Sequence, residues 1–262
     1  MVERFFARGW ARFGPDPRVR DWAAHARIAA RQAVQDPAHA HWHVCDGTWF
    51  IGVDALPNDS QGRIGGSTPL SGPAVNFIET HLGALPPLHP AQVSVTWPGY
   101  PRPREGESTA AFRYRQRRDA AHLDGLKPRG PDRRRHLDER HGFILGLPLT
   151  ETDPGAAPLV VWEGSHEILR AALTEALEGQ DPSDWGDIDL TAPYQAARAR
   201  IFETCRRVPL HARPGEAYLL HRLILHGVAP WEEGAQAPEE GRMIVYFRPH
   251  MPGGTADWLA AP

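Results

Sequence analysis

From about residue 90 onward, the chain consists of short apolar runs separated by proline and glycine. The runs are rich in β-branched, aliphatic and aromatic residues and have the length of strands. They span residues 91–97, 110–116, 142–149, 158–164, 216–227 and 242–249. Several short strands with turn residues between them favour a sandwich or a barrel. We therefore expect a mainly β protein with flanking helices, of the α+β class.

Helical patterns flank this β region. An Asp-Pro start and apolar residues at helical spacing predict a helix over 15–35, and Gly83 closes a shorter predicted helix over 71–83. Residues 47–56 are aromatic and β-branched and predict a strand. The segment 165–205 is helical in pattern and polar, so we expect it to cover an edge or mouth of the β-structure.

The length of 262 residues suits one domain over 1–262, with residues 1–90 packed on a core at 90–250. A net charge of −3 favours neither nucleic acid nor a membrane as partner. Cys45 and Cys205 are too few for a disulfide scaffold, and no run is long and apolar enough for a signal peptide or a membrane span. These features predict a cytoplasmic protein and make no prediction of oligomeric state.

The tripeptide His-Leu-Asp occurs twice, at His122/Asp124 and at His136/Asp138. In an extended segment, residues i and i+2 project to the same side, so each copy offers an imidazole nitrogen and a carboxylate oxygen to one point. A third histidine would complete the triad of two histidines and one carboxylate that holds Fe(II) and leaves three positions open. Either copy is thus a candidate half of a metal site.

The best third ligand is His226, where the apolar run "EAYLLHRLILHG" ends in His-Gly. It is far enough from His122 to come from another strand. If the strand is regular, His221 lies on its opposite face, because an odd offset changes sides. The alternative for His226 is a partly buried histidine whose ring hydrogen-bonds a backbone carbonyl.

The next predicted strand carries Arg242 at its start and Arg248 on the same face. A guanidinium beside a metal suits a dicarboxylate, because its fork binds a carboxylate through two parallel hydrogen bonds. The alternative for either residue is a solvated surface arginine. Spacing alone does not choose between the two.

The order of these motifs resembles the phytanoyl-CoA dioxygenase family of Fe(II)- and 2-oxoglutarate-dependent oxygenases. His-x-Asp is followed by "GLPLTETDPGAAPLVVWEGSHEIL", then "PGEAYLLHRLILHG", then "RMIVYFRP". The resemblance covers roughly residues 90–250. Two departures concern Glu163, which stands where the family usually has proline, and the loop "GVAPWEEGAQAPEEG", which lacks the family's usual Asn and Ser.

The resemblance implies a double-stranded β-helix core of the jelly-roll, cupin-like kind. It makes His122, Asp124 and His226 the iron ligands, and it makes Arg242, early on its strand, the residue for the distal carboxylate of 2-oxoglutarate in preference to Arg248. With O2, such an enzyme hydroxylates a substrate and releases succinate and CO2. Asp124 favours hydroxylation over halogenation, since halogenating relatives have a small residue there.

The surroundings distinguish the two tripeptides. His122 follows the predicted strand 110–116, whereas His136 lies in the charged run "PDRRRHLDERHG", which predicts a solvated loop. The first copy is therefore the predicted metal site. Tyr114 and Trp162 lie on predicted strands and are candidates for pocket lining, although large aromatics on strands more often belong to the core.

The arginine-rich region 102–140 favours a small-molecule substrate that is anionic. Two other functions stay open. Jumonji-type protein hydroxylases also use His-x-Asp and a distant His, but they commonly bind 2-oxoglutarate through a lysine on a later strand, and the only lysine here is Lys127. The other is a cupin-like barrel that binds metal without turnover.

Overall fold

The computed structural model describes all 262 residues, which form twelve strands, seven α-helices and two short 3-10 helices. The strands are β1 (Trp10–Phe13), β2 (His43–Val44), β3 (Trp49–Leu56), β4 (Ala91–Thr96), β5 (Leu126–Arg129), β6 (Arg134–Leu137), β7 (Phe143–Pro148), β8 (Leu159–Trp162), β9 (Arg207–Leu210), β10 (Ala217–His221), β11 (His226–Val228) and β12 (Arg242–Phe247). The helices are α1 (Val2–Arg8), α2 (Pro17–Gln35), α3 (Pro73–His81), α4 (Thr109–Arg117), α5 (Ser165–Ala176), α6 (Thr191–Thr204) and α7 (Thr255–Ala260).

The strands form two facing antiparallel sheets and a separate hairpin. The large sheet has the order β1-β10-β7-β12-β4-β3-β2, the small sheet has the order β11-β8-β9, and β5 pairs with β6. Side chains from both sheets meet in a shared interior, where Ile144 and Tyr218 of the large sheet pack with Leu159 of the small one. The predicted mainly β, α+β class with a double-stranded β-helix core is confirmed.

Alternation along each strand of the large sheet separates two buried faces. On β12, Met243 and Val245 pack into an apolar core that also holds Trp22 of α2 and Phe77 of α3. The other residues of β12 face the small sheet, as Ile244 shows by packing with the interior residues there. The large sheet is therefore covered by helices on one side and leaves its other side for a site.

The first 90 residues complete the large sheet as well as packing on it. Strand β1 pairs with β10 at one edge, and β2 and β3 extend the other edge beyond β4. This pairing satisfies backbone groups that the core strands alone would leave exposed at the edges. The predicted segments 15–35, 47–56 and 71–83 are confirmed as α2, β3 and α3.

The predicted strand over 110–116 is wrong, because this segment is helix α4. Its N-cap, Ser108, accepts a hydrogen bond from the Ala111 backbone N–H at 3.2 Å. The alanines, arginines and glutamine that follow are good helix formers. These local preferences outweigh the alternation of Phe112 and Tyr114 that suggested a strand.

The run 216–227 is not one strand, and the prediction that His226 ends a strand is also wrong. Strand β10 ends at His221 in the large sheet, the chain turns a corner, and His226 begins β11 in the small sheet. The His221 ring accepts a hydrogen bond from the Leu223 N–H at 3.0 Å and stabilises that corner. The even-odd comparison of the two histidines therefore does not apply.

The predicted helical segment 165–205 contains α5 and α6, and these helices pack on the outer face of the small sheet through Leu169 and Ile201. In the second His-Leu-Asp, predicted to lie in a loop, His136 and Leu137 instead lie on β6 of the hairpin and Asp138 follows directly after it. None of the helices combines the length and the apolar character needed to cross a bilayer.

Helix α2 offers a test of how far the core of the large sheet stabilises the fold. Trp22 is 1% exposed and its indole N–H donates to the Gly62 carbonyl at 2.6 Å. We expect Trp22→Ala to lower the free energy of unfolding by about 3–5 kcal/mol in urea denaturation, through the lost packing and the cavity left behind. Ile28, on the same helix but 61% exposed, is the control, and Ile28→Ala should change it by less than about 0.5 kcal/mol. Equal losses in the two variants would contradict this account of the core.

Candidate functional site

The structure brings His122, Asp124 and His226 together in the interior between the sheets. One ligand atom from each residue lies within 4.8 Å of the others. The Oδ1 atom of Asp124 is 3.2 Å from Nε2 of His122 and 3.7 Å from Nε2 of His226. The three side chains thus converge on one point from two distant parts of the chain.

Backbone pairing holds the two histidines opposite each other. The His122 N–H donates to the His226 carbonyl at 2.8 Å, and the His226 N–H donates to the His122 carbonyl at 3.1 Å. Residues 121–123 therefore add an extended segment to the small sheet beside β11. Asp124 joins the group because it lies two positions beyond His122.

Helix α6 supports this segment from outside. The Leu123 N–H donates to the Tyr194 hydroxyl at 3.0 Å, and the Arg198 guanidinium donates to the Ala121 carbonyl at 3.0 Å. The two backbone groups bound in this way, the Ala121 carbonyl and the Leu123 N–H, lie on either side of His122. The helical segment after β8 thus positions the first half of the triad.

Two glycines permit the close backbone approach at the site. A Cβ atom at Gly227 would lie less than 3.0 Å from the carbonyl oxygen of Asp119, and one at Gly125 would lie less than 3.0 Å from the carbonyl oxygen of Glu139. Gly125 also has a φ of +88°, which L-residues rarely adopt. The His-Gly and Asp-Gly pairs of the sequence are therefore steric requirements of the triad.

Hydrogen bonds to Nδ1 select the tautomer of each histidine. The Nδ1 atom of His122 lies 3.0 Å from the Ala120 carbonyl, and that of His226 lies 3.1 Å from the Ile224 carbonyl. A carbonyl only accepts, so each Nδ1 carries the proton and each Nε2 keeps its lone pair. This is the arrangement in which an imidazole binds a metal through Nε2.

The charges at the site also suit a divalent metal. Burial, followed by the neighbouring His122, lowers the pKa of His226 to about 4, so its ring is neutral at pH 7. Burial alone would raise the pKa of Asp124, but Arg248 and the two histidines outweigh it and hold that pKa well below the usual range. Two imidazoles and one carboxylate are the donor set preferred by Fe(II) in sites with open positions.

The triad opens into a cavity of about 510 Å³ between the two sheets. Its walls combine apolar side chains such as Ile144, Leu159 and Leu220 with polar ones such as Gln92 and Ser94. Among its charged residues, Asp124 is the single carboxylate. The cations are Arg104, Arg115, Arg118, Arg133, Arg135, Arg198 and Arg248.

Arg248 and Arg242 occupy different environments on β12 and just after it. Arg248 lines the cavity and its Nη1 lies 3.3 Å from Oδ2 of Asp124. Arg242 is 4% exposed and does not line the large cavity, and neither of its terminal nitrogens has a hydrogen-bond partner. The hydroxyls of Thr96 and Tyr246 are also buried without a partner.

These unpaired groups belong to one place. Thr96 is the register partner of Arg242 across β4 and β12, and Tyr246 lies four positions beyond Arg242 on the same face. Burial raises the pKa of Tyr246, and the charge of the nearby Arg242 opposes that rise. Buried polar groups in proteins almost always have partners, so a buried cation with free N–H groups beside two free hydroxyls fits an acceptor such as a carboxylate.

Of the two aromatic residues predicted to line the pocket, one does and one does not. Tyr114 lines the cavity, although from a helix, whereas Trp162 does not. Alternation on β8 turns Trp162 outward, where it packs edge-on against Phe202 of α6 at 5.2 Å. In the second tripeptide, the His136 ring lies 3.3 Å from the Gly186 carbonyl and Asp138 pairs with Arg129, so neither faces the triad.

Sequence reasoning missed Arg198 as a cavity residue. It lies on α6, outside the arginine-rich region 102–140, and its position depends on how the helical segment folds over the small sheet. No pattern in the sequence marks it.

No protein-family model matches the chain, and no curated protein matches it. Among solved structures, the epimerase SnoN in complex with Fe3+, alpha ketoglutarate and nogalamycin RO has a TM-score of 0.50 at 16% identity, covering 96% of this chain and 89% of that one. EvdMO1 has a TM-score of 0.50 at 14% identity and covers 96% of this chain, which spans 49% of EvdMO1. EctD from S. alaskensis in its apoform has a TM-score of 0.49 at 16% identity, over 94% of this chain and 75% of that one. At these identities, the likeness to SnoN and EvdMO1 shows a shared fold.

Gly227 provides a test of the backbone geometry at the triad. Gly227→Ala should lower the free energy of unfolding by about 1–3 kcal/mol and weaken Fe(II) binding, because the new methyl group forces β11 away from residues 119–121. The control is Gly142→Ala, whose Cβ would meet its nearest atom at an ordinary 3.6 Å. Chemical denaturation and anaerobic Fe(II) titration measure both effects. Unchanged Fe(II) affinity in Gly227→Ala would show that the close approach is not needed.

Proposed function

We propose that this protein is an Fe(II)- and 2-oxoglutarate-dependent dioxygenase that hydroxylates a small molecule. The observation that carries the proposal is the convergence of His122, Asp124 and His226 on the wall of a cavity, with each Nδ1 at a backbone carbonyl and each Nε2 directed at Oδ1 of Asp124. Such a triad leaves three positions on Fe(II) open for 2-oxoglutarate and O2. Within this class, the motif order supports the phytanoyl-CoA dioxygenase family, and the two sheets with their helices support a single domain over 1–262.

When bound, Fe(II) would supply the oxygen chemistry, with release of succinate and CO2, and the chain's own residues position the reactants. Arg248 occupies Oδ2 of Asp124, which leaves Oδ1 directed at the histidines. Apolar side chains such as Ile144 and Leu159 keep that part of the wall dry. Because Asp124 is present, no ligand position is vacated for a halide, which supports hydroxylation over halogenation.

Arg242 is the proposed residue for the distal carboxylate of 2-oxoglutarate. Its guanidinium is buried with two unpartnered terminal nitrogens, next to the unpartnered hydroxyls of Thr96 and Tyr246. A carboxylate placed there would accept from the guanidinium fork and from hydroxyls. Arg248 is the competing candidate, since it lines the cavity, but it already donates to Asp124.

The cavity supports a small substrate and a negative one. Its volume of about 510 Å³ lies within the range of about 300–1,000 Å³ typical of ligand sites. Seven arginines against one carboxylate on its walls favour an anion. Lys127 is exposed on the β5–β6 hairpin, pairs with Glu139 and does not line the cavity, which argues against the lysine-based 2-oxoglutarate site of jumonji-type hydroxylases.

Metal binding by the first tripeptide is tested with one variant of each copy. Asp124→Ala removes a ligand and should weaken Fe(II) binding by at least about 100-fold in an anaerobic titration, since even outer partners of metal ligands contribute about 10–100-fold. Asp138→Ala is the matched control and should bind as the wild type does, because Asp138 pairs with Arg129 away from the triad. The opposite result would move the metal site to the second tripeptide.

Binding of 2-oxoglutarate is tested by the absorbance band that it produces with Fe(II) in the anaerobic protein. Arg242→Gln should raise the Kd for 2-oxoglutarate by about 10–100-fold, because hydrogen bonds to charged groups contribute about 1.5–3 kcal/mol. Retained Fe(II) binding in that variant verifies that it folds. If Arg248→Gln loses the band and Arg242→Gln keeps it, the carboxylate site is at Arg248. A wild type with no 2-oxoglutarate-dependent band would be a metal-binding barrel without turnover.

A further inference from the structure

Four of the arginines that line the cavity come together from three separate elements, and we name them the mouth arginines. Arg118 follows α4, Arg133 and Arg135 belong to the β5–β6 hairpin, and Arg198 lies on α6. All four are exposed or half-buried, so they lie toward the opening of the cavity. The triad lines the same cavity.

The mouth arginines have no acidic partner. Each of the four lacks a carboxylate oxygen within 4.0 Å of its guanidinium, whereas several other arginines nearby in the sequence are paired. Arg134 lies 3.3 Å from Asp189, Arg115 lies 2.7 Å from Glu107, and Arg129 pairs with Asp138. Some arginines of this region are thus neutralised by a carboxylate, and the four mouth arginines are not.

Arg118 and Arg198 contact the same aromatic ring, and Arg133 and Arg198 lie near enough to Arg135 for their charges to act on it. Arg118 lies over the Phe202 ring at 4.2 Å from its centroid, and Arg198 lies 5.6 Å from the same centroid. Burial lowers the pKa of Arg135, and the charges of Arg133 and Arg198 lower it further. Like charges held together in this way repel, and a bound anion would remove that repulsion.

Two of these arginines are each held by one hydrogen bond to a backbone carbonyl, which leaves their other guanidinium N–H groups without a partner in the protein. Arg198 donates to the Ala121 carbonyl at 3.0 Å and Arg135 donates to the Leu126 carbonyl at 3.2 Å. The Nε atom of Arg198 is buried and has no partner. The remaining N–H groups are therefore available to a ligand with several acceptor oxygens.

We propose that the mouth arginines bind a phosphoryl group on the substrate, while the carbon to be hydroxylated reaches the triad at the other part of the cavity. A phosphoryl group carries nearly two negative charges and three terminal oxygens, which match several guanidinium forks better than one carboxylate does. The limited volume of the cavity, about 510 Å³, favours a small molecule over a nucleic acid. The assignment of this group to a substrate rests on the proposed function.

The test uses pyrophosphate as the probe, by calorimetric titration of metal-free protein at low ionic strength. Arg118→Gln/Arg133→Gln removes two guanidinium groups that make no hydrogen bond and no ion pair within the protein. The contact of Arg118 with the Phe202 ring is lost, and the backbone hydrogen bonds of both residues are kept, so the variant should fold. The matched control is Arg117→Gln/Arg134→Gln, which removes the same charge from adjacent positions outside the cavity. We expect pyrophosphate affinity to fall at least about tenfold in the mouth variant and less than about twofold in the control.

Three outcomes would overturn the proposal. They are a wild type that does not bind pyrophosphate at millimolar concentration, a mouth variant that binds it as the wild type does, and a wild type that binds the dicarboxylate succinate as tightly as pyrophosphate. The titration contains neither Fe(II) nor 2-oxoglutarate. A missing 2-oxoglutarate band would therefore reject the dioxygenase proposal and leave the pyrophosphate result unchanged, so that the two failures are distinguishable.

Discussion

The antiparallel bridge between His122 and His226 is the constraint on which the site depends. The two residues exchange both backbone hydrogen bonds, so the positions of their side chains follow from the pairing of the small sheet. Asp124 is carried to the same side by the two-residue period of an extended segment. The Tyr194 hydroxyl of α6, which accepts from Leu123, and the Arg198 guanidinium, which donates to Ala121, then hold residues 121–123 against β11. The backbone therefore fixes the spacing of the three candidate ligands in the absence of a metal.

The cavity beside this bridge is lined by many more positive than negative side chains. The interior face of the large sheet carries Arg242 and Arg248 among apolar residues, and the opening carries the mouth arginines. Arg242 is a buried cation without a partner, which lowers the free energy of unfolding unless an anion joins it, and the charges of the mouth arginines repel one another. Because Asp124 supplies only one negative charge, the arrangement is matched by ligands that bring their own carboxylates or phosphoryl groups.

Much of the fold and of the triad could be predicted from the sequence, and the failures have physical causes. Strand-length apolar runs and the i, i+2 spacing of His122 and Asp124 are local signals. Four of the six runs each contain one strand, and the two side chains lie with His226 around one point. The prediction of a strand over 110–116 was wrong because helix capping and helix propensity outweighed the alternation of aromatic residues. The prediction of one strand over 216–227 was wrong because the residues at a corner between two sheets are as apolar as those of a strand. Cavity residues such as Arg198 could not be predicted because their position depends on how the helices pack against the sheets.

The two identical tripeptides show why a motif needs its neighbours. Asp124 is followed by Gly125, which turns with a φ of +88°, whereas Asp138 is followed by Glu139 and lies beside β6. The Asp138 N–H donates to the Gly125 carbonyl at 2.9 Å, and the Glu139 N–H donates to it at 3.3 Å. The backbone of the second copy thus braces the turn that follows the first. The two tripeptides are therefore not two metal sites. The first contributes candidate ligands, and the backbone after the second stabilises the turn beside them.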